Sequence, residues 1–365
     1  MNCAAIVLFN QKNRLSTVDF GYVTDAFLSG GIFLDELVFV PYDTPSAILS
    51  HLTRLSTACG GIFIICDRVL LSPAKEAIEE FTGKKFFEEY LLETESCLYG
   101  VLPAGEKGKE IVLTETVPRL EQRRKKRFCR MVVKLVMAPW EKVRRAMKAA
   151  EEAAEGKLFL HASGKYGQIR VEAVYDENTP KMIADEVVRI LATELGDYLY
   201  ALEDVTLPER LVDLLKLHRM TVCTAESFTA GGVGKAIVSV AGASKVYYEG
   251  LNTYSNEAKV ERLGVSEYTL KSKGAVSDET AYEMAAGLIR QGHCDLAIAT
   301  TGIAGPASDN TQKPVGLCYI AIGTKARVRV FRYNLEGDRE TITKTAVNLA
   351  LFLAYRELKQ GDISL

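Results

Sequence analysis

Short apolar runs alternate with amphipathic stretches along most of the chain, and this alternation limits the folds that the chain can adopt. Before residue 120, the apolar runs are "AAIVLF", "ELVFVPY", "GIFIIC", "LYGVLPAG" and "EIVLTE". Helical patterns such as "SAILSHLTRLSTA" and "PAKEAIEEF" separate them. Strands that alternate with helices form layered α/β domains with mostly parallel sheets. The sequence therefore predicts a three-layer α/β domain over residues 1–125.

The rest of the chain predicts two further parts. A strand "MVVKLVM", a helix "APWEKVRRAMKAAEEAAEG", a strand "GQIRVEAVY" and a helix "TPKMIADEVVRILATELGDYLYA" follow one another and indicate a small α+β module over 126–204. Strands and helices then interleave again, which predicts a second three-layer α/β domain over 205–365. The expected fold is α/β: two such domains with mostly parallel sheets, joined by the small module.

Composition excludes some classes of function. Lys+Arg 45 against Asp+Glu 47 gives a net charge of -2, so no global field favours nucleic acid or an anionic membrane. The basic cluster "RRKKRFCR" at 123–130 fits a solvated linker or helix face better than a nucleic-acid site. The sequence contains no run of about 18 apolar residues, so it predicts no membrane span. The amino terminus is expected to form a first strand, not a signal peptide.

Cysteine and histidine usage indicates a reducing compartment and no metal site. The 8 cysteines are dispersed without a CxxC pair, and the 4 histidines show no ligand spacing. This pattern predicts buried reduced thiols in a cytoplasmic protein, with no metal and no cofactor.

The stretch "TVCTAESFTAGGVGKAIVSVAG" at 221–242 places Ser227 where a predicted strand turns into a helix. Small residues and a helix amino terminus favour an oxyanion or a phosphate, so Ser227 is a candidate nucleophile. A plain helix cap is the alternative. We expect Ser227 to serve as both.

A serine nucleophile needs a base, and neither His218 nor His293 is tied to Ser227 by any signature. The candidate is Lys259 in "NTYSNEAKVERLG", because a desolvated lysine can lose its proton near neutral pH. A surface helical lysine is the alternative.

Two further segments carry candidate ligand-binding groups. In "LAIATTGIAGP" a predicted strand ends in Thr300 and Thr301 before two glycines, and ligands bind at the carboxyl ends of parallel strands; a tight structural turn is the alternative. In "LEGDRE" Arg339 is suited to clamp a phosphate, whereas a helix start capped by Asp338 explains the same residues without function.

Six segments in order, "TAESFTAG", "YSNEAKVERLGV", "GAVSDETAYEMA", "ATTGIAGP", "KPVG" and "GDRE", resemble the carboxy-terminal domain of the CinA family over 207–358. The resemblance implies nicotinamide mononucleotide (NMN) amidohydrolase activity, which converts NMN and water to nicotinic acid mononucleotide and ammonia in pyridine-nucleotide salvage. It implies that Ser227 is the nucleophile and Lys259 its assisting lysine. The substrate contacts that it implies are Thr229, Gly231, Tyr254, Asn256, Thr300, Thr301, Gly302, Gly305 and Arg339. Phe228 stands where the family usually has a cysteine, and we expect its side chain to point into the core.

The other two parts are similar to the remaining domains of the family. The middle module is similar to a KH-like domain, but its GxxG at 164–167 leads into a strand, so a spacer or a dimerisation role in a homodimer is expected, not nucleic-acid binding. The first domain resembles the molybdopterin-binding-like domain in layout only. Its "FNQKNRL" at 9–15 and "CDRVLLSPA" at 66–74 lack the glycines and acidic pair of that domain, which predicts a degenerate domain without hydrolysis.

Two alternatives to the amidohydrolase remain open from the sequence. One is a non-enzymatic scaffold or regulatory protein that binds nucleotides or partner proteins. The other is a residual ADP-ribose pyrophosphatase, which would depend on a divalent cation.

Overall fold

The computed structural model describes residues 1–10, 18–124, 128–306 and 313–361. The strands in these ranges are β1 Asn2–Asn10, β2 Leu34–Tyr42, β3 Cys59–Cys66, β4 Leu91–Glu93, β5 Leu98–Pro103, β6 Phe128–Val136, β7 Leu158–Lys165, β8 Gln168–Asp176, β9 Leu199–Ala201, β10 Val222–Glu226, β11 Tyr247–Asn252, β12 Leu296–Gly302, β13 Leu317–Thr324 and β14 Val328–Asn334. The helices are α1 Gly21–Ser29, α2 Pro45–Ser56, α3 Leu71–Thr82, α4 Glu106–Ile111, α5 Val117–Arg124, α6 Trp140–Ala154, α7 Lys181–Leu195, α8 Leu207–His218, α9 Gly232–Val238, α10 Asn256–Leu263, α11 Glu267–Ser272, α12 Asp278–Gln291 and α13 Arg339–Gly361.

The chain divides into two compact units. The first comprises Met1–Met131, Ala150–His161 and Glu172–Val187, and the second comprises Val132–Ala149, Ala162–Val171 and Val188–Leu365. The residues of the small middle sheet are shared between these units. The boundaries expected near residues 125 and 204 therefore stay predictions.

The first sheet has the order β2-β1-β3-β5-β4, and only its edge strand β4 runs antiparallel to its neighbour. Helices α2 and α3 cover one face, and α1, α4 and α5 cover the other. Because both faces are covered, the inner strand β1 is apolar and buried without alternation from Cys3 to Leu8. This arrangement confirms the α/β class.

One apolar run of the first domain is not a strand. "EIVLTE" at 110–115 closes α4 and enters a π-helical turn, Val112–Thr116, that leads into α5. Its apolar side chains Ile111 and Val112 pack in the same core cluster as Val23 and Phe27 of α1. A short apolar run fits a buried helix as well as a strand, so periodicity alone could not decide.

The structure describes only part of the two loops in which the first domain departs from the family pattern. Residues 11–15 of "FNQKNRL" lie outside the described residues. After β3, Asp67 leads directly into a 3-10 turn, Arg68–Leu70, and then into α3.

The middle sheet has the order β7-β8-β6-β9 and its helices are α6 and α7. The predicted strands and helices of this module are thereby confirmed. Gly164 and Gly167 lie at the β7–β8 hairpin, not between two helices. Of the basic cluster, Arg123 pairs with Glu93, whereas residues 125–127 lie outside the described residues.

The second α/β sheet has the order β11-β10-β12-β13-β14. Strand β10 runs parallel to β11 and β12, while β13 and β14 add an antiparallel pair, so this sheet is mixed. Along β12, Leu296 and Ile298 face the layer of α8, α9 and α13, whereas Ala297 and Ala299 face α12. The sheet therefore lies between two helical layers.

All eight cysteines carry free thiols, and all but Cys129 are buried. Among the described residues, no helix combines the length and the apolar character that crossing a membrane requires.

Candidate active site

Three parallel strands deliver the candidate residues to one edge of the second sheet. Ser227 follows β10, Thr253 and Tyr254 follow β11, and Thr301 lies near the end of β12. The Ser227 amide donates to the carbonyl of Thr300 over 3.0 Å, which continues the pairing of β10 with β12. The carboxyl ends of parallel strands share an edge, so residues distant in sequence meet there.

Ser227 does not cap the helix that follows it. The N-cap of α9 is Gly231, which has no side chain to accept a hydrogen bond from the helix. The backbone angle φ is positive at Ala230 (49°) and Gly231 (88°), so the chain makes a left-handed turn before α9 begins. The expectation that Ser227 caps the helix was wrong, because the sequence did not reveal this intervening turn; the expectation that Ser227 is the nucleophile stays a prediction.

Lys259 is fully buried, with 0% exposure, which contradicts the alternative of a surface lysine. Helix α10 begins after Ser255, whose Oγ accepts from the Ala258 amide over 3.1 Å. This cap fixes the first turn, from which the Lys259 side chain reaches inward. Its Nζ lies 3.2 Å from Ser227 Oγ.

Backbone carbonyls surround the remaining side of the Lys259 amine. Nζ donates to Thr253 O at 2.8 Å and to Tyr254 O at 3.1 Å, with Ser255 O at 3.5 Å. A neutral amine has two N–H donors and one lone pair. Donation to the two nearer carbonyls leaves the lone pair for the hydroxyl hydrogen of Ser227.

Burial lowers the pKa of Lys259 from 10.5 to about 8, while the Glu257 carboxylate acts in the opposite direction. Desolvation disfavours the charged form of an amine. About one molecule in ten then carries a neutral Lys259 at pH 7, against about one in three thousand for a pKa of 10.5. The site thus prepares a base that an exposed lysine would not provide.

A cavity of about 310 Å³ opens beside this pair. The predicted site residues that line it are Ser227, Tyr254, Lys259, Thr301, Gly302, Gly305 and Arg339. Phe228, Ala275, Val276, Ile303 and Ala304 complete an otherwise apolar lining. The arrangement offers a hydroxyl beside a buried amine at one wall and an aromatic side chain and a guanidinium at others.

Arg339 is the first residue of α13, and Asp338 caps this helix by accepting from the Thr341 amide over 2.8 Å. The cap and the cavity position therefore coexist in "GDRE". The guanidinium is exposed, and its Nη1 donates to Gly305 O at 2.7 Å, which holds it beside the glycine turn after β12. Among the described residues, this guanidinium donates to Gly305 O alone, which leaves N–H donors for an anion in the cavity.

The other predicted contacts do not line this cavity. Thr229 and Thr300 are buried, and their hydroxyl oxygens lie 2.7 Å apart. Gly231 belongs to the left-handed turn, where a Cβ would lie 3.1 Å from Asn252 Nδ2. Asn256 lines a separate groove between α10 and α11.

Phe228 lies in the core with 5% exposure, as the sequence predicts, and its edge reaches the cavity. A Cβ added at Gly302 would approach Phe228 to 3.0 Å. The bulkier side chain at this position therefore packs against a glycine that leaves room for it.

Sequence reasoning missed Glu226, the last residue of β10. It is 1% exposed, and its carboxylate accepts from the amides of Val233 at 3.0 Å and Gly234 at 2.8 Å and from the Thr229 hydroxyl at 2.7 Å. The Glu226 carboxyl group thus fills the position at the start of α9 where a ligand oxygen would otherwise accept these hydrogen bonds. The available signal was a carboxylate that ends a buried strand directly before the serine.

In the described ranges, no group of three or more His, Cys, Asp or Glu side chains is arranged to hold a metal ion.

Comparison with known proteins shows what this chain is similar to. A model of the CinA C-terminal domain matches residues 204–358. A CinA-like protein from Kosmotoga olearia is 41% identical over 209 residues, 57% of this chain and 49% of that protein. A relative from Caldanaerobacter subterraneus, whose name includes the words "competence-damage inducible protein", is 34% identical over 276 residues, 75% of this chain and 67% of the relative.

Among solved structures, a competence-damaged protein (CinA) superfamily protein from Klebsiella pneumoniae shares 30% identity, with coverage of 42% of this chain and 96% of that chain and a TM-score of 0.41. The chain spans about half the length of several curated relatives that it matches.

Proposed function

The chain belongs to the CinA family, and from this premise we propose that it hydrolyses the carboxamide of NMN to nicotinic acid mononucleotide and ammonia. The observation that carries the proposal is the buried pair in which Lys259 Nζ lies 3.2 Å from Ser227 Oγ. A desolvated amine next to a serine hydroxyl is one of the arrangements that activate a hydroxyl for nucleophilic attack on an amide.

The first half of the reaction forms an ester. The neutral Lys259 amine takes the hydroxyl proton while Ser227 Oγ attacks the carboxamide carbon. The carbonyl oxygen becomes an oxyanion, held by amides of the turn after Ser227 or after Thr301. The C–N bond then breaks as the Lys259 ammonium returns its proton to the leaving nitrogen, which departs as ammonia.

The second half restores the enzyme. Lys259, again neutral, takes a proton from water as the water oxygen attacks the ester carbon. The bond to Ser227 Oγ breaks, and the proton on Lys259 passes back to that oxygen. Neither half of the proposed mechanism uses a metal ion. In both halves Lys259 accepts a proton and then returns it.

The cavity suits a nucleotide whose reacting group is a pyridine carboxamide. Val276, Ile303 and Ala304 give an apolar wall for the ring, and Tyr254 has an aromatic face at the opening, with 65% exposure. Arg339 provides a guanidinium for the 5′-phosphate. We therefore propose that the mononucleotide is preferred over free nicotinamide.

We also propose, from the sequence, that the protein is a homodimer in the cytoplasm. In this proposal the middle module is a spacer or a dimerisation element, and the first domain does not hydrolyse ADP-ribose.

A substrate panel tests the proposal. Purified protein is incubated with NMN, free nicotinamide or ADP-ribose, each with and without EDTA, and ammonia and the nucleotide products are quantified. We expect ammonia and nicotinic acid mononucleotide from NMN alone, unaffected by EDTA. EDTA-sensitive cleavage of ADP-ribose would indicate the pyrophosphatase instead, and binding of NMN without turnover would indicate a scaffold.

A further inference from the structure

A buried carboxylate immediately precedes Ser227 in the chain, and it takes no part in the proposed reaction steps. Glu226 is 1% exposed and precedes Ser227 in the chain. Burial of a carboxylate is costly unless hydrogen bonds replace its water. Its neighbours therefore indicate what it does.

Within the described part of the chain, the hydrogen-bonding neighbours of the Glu226 carboxylate are all donors from the segment that follows Ser227. Oε1 accepts from the Gly234 amide, and Oε2 accepts from the Val233 amide and from Thr229 Oγ1. An ionised carboxylate is an acceptor only, so it matches this set. The turn after the nucleophile thus closes around the side chain that precedes the nucleophile.

The same carboxylate fixes the direction of a hydrogen-bond chain. Since Thr229 gives its single hydroxyl proton to Glu226, it must accept from Thr300 Oγ1, 2.7 Å away. The chain therefore runs from Thr300 through Thr229 to Glu226. It joins the end of β12 to the turn beside the nucleophile.

The backbone of Glu226 connects to the base. Its carbonyl accepts from the Thr253 amide over 2.9 Å, and the Thr253 carbonyl in turn accepts from Lys259 Nζ over 2.8 Å. One residue is thereby linked to the turn that carries Ser227 through its side chain and to the acceptor of Lys259 through its backbone.

The turn between Ser227 and α9 needs such an anchor. Ala230 has φ 49° and Gly231 has φ 88°, and a non-glycine residue in the left-handed region persists only where its surroundings hold it. Ala230 is exposed, so its own side chain provides no packing there.

We propose that Glu226 is a positioning residue that sets the distance and direction of Ser227 Oγ relative to Lys259 Nζ. The inference rests on the proposed function for the role of Ser227. Glu226 does not line the cavity that Ser227 and Lys259 line, so it is placed to position the reacting groups and not to contact the substrate. Its loss is expected to slow the chemical step, not to weaken substrate binding.

Glu226→Gln is the first test. A glutamine must turn its NH₂ group either toward the Gly234 amide or toward the Val233 amide and the Thr229 hydroxyl. In each orientation one N–H donor of the glutamine faces another donor, and a hydrogen bond is lost. We expect kcat for NMN to fall about tenfold to a hundredfold with KM within about twofold, since small misplacements of reacting groups have effects of this size.

Thr229 provides a second, milder pair of variants. Thr229→Val removes the hydroxyl at nearly constant volume and should lower kcat without changing KM, whereas Thr229→Ser keeps the hydroxyl and should restore it. Thr206→Ala is the control, because it removes a threonine hydroxyl outside the site. Thr206 caps α8, and its Oγ accepts from the Glu209 amide. This control should lose stability but keep kcat.

A second readout does not depend on the substrate. The rate at which a fluorophosphonate labels Ser227, followed by mass spectrometry of the peptide, should fall in Glu226→Gln and Thr229→Val in parallel with kcat. If the wild type is labelled but releases no ammonia from NMN, the proposed function fails while labelling still decides this inference. Equal labelling of wild type and both folded variants, or a loss confined to KM, would overturn it.

Discussion

The pH dependence of the reaction follows from the burial of Lys259. Only the neutral amine can take the proton of Ser227, and burial lowers the Lys259 pKa to about 8. The active fraction is then about 3% at pH 6.5, about 50% at pH 8 and close to complete at pH 9.5. The account therefore predicts that kcat/KM rises about thirtyfold across this range, with a midpoint near pH 8.

The assay is ammonia release from NMN at concentrations below KM, because kcat/KM reports ionisations of the free enzyme and free substrate. The profile is read above about pH 6.5, where the phosphate of the substrate, with its second pKa near 6, is mostly dianionic. A stability measurement at each pH separates titration from unfolding.

Glu257→Gln perturbs this profile in a defined direction. The exposed Glu257 carboxylate raises the pKa of Lys259, so its removal should move the midpoint to lower pH by a few tenths of a pH unit. Glu261→Gln, on the same helix, is the control and should leave the midpoint in place. A flat profile, a fall with rising pH or a midpoint near 10.5 would refute Lys259 as a buried base.

Three further substitutions test separate parts of the site. Lys259→Arg keeps a cation that cannot be deprotonated, so we expect kcat to fall about a thousandfold or more; retained turnover would mean that Lys259 acts only as a charge. Arg339→Gln removes the guanidinium beside Gly305 and should raise KM for NMN by about tenfold or more with a smaller effect on kcat; an unchanged KM would place the phosphate elsewhere. Ala230→Gly relieves a positive φ at an exposed position and should raise the free energy of unfolding by up to about 1 kcal/mol, measured by urea titration; destabilisation would show that the turn is not strained.

The layers of the fold could be predicted from the sequence because the spacing of apolar residues indicates which side chains are buried. Strand β1 and helix α6 follow directly from apolar runs and amphipathic spacing. "EIVLTE" shows the limit, since a run of that length is compatible with a buried helix and only its packing against α1 decides.

The sequence named residues that share one cavity but not their geometry, and four of the predicted contacts, Thr229, Gly231, Asn256 and Thr300, do not line that cavity. The resemblance named Ser227 and Lys259, while their 3.2 Å separation and the burial that lowers the Lys259 pKa depend on the whole sheet edge. Glu226 went unnoticed because its function depends on a turn with positive φ at Ala230, a residue that gives no sequence signal for that conformation.

The most direct test of the central claim is ammonia release from NMN by the wild type and by Ser227→Ala, measured at about pH 8 on protein shown to be folded. The account predicts steady release by the wild type and none above background by the variant, with the two proteins equally stable to within about 1 kcal/mol because Ser227 caps no helix. Release by Ser227→Ala at a rate near that of the wild type would contradict the account, since the carboxamide would then be hydrolysed without the nucleophile on which the whole mechanism depends.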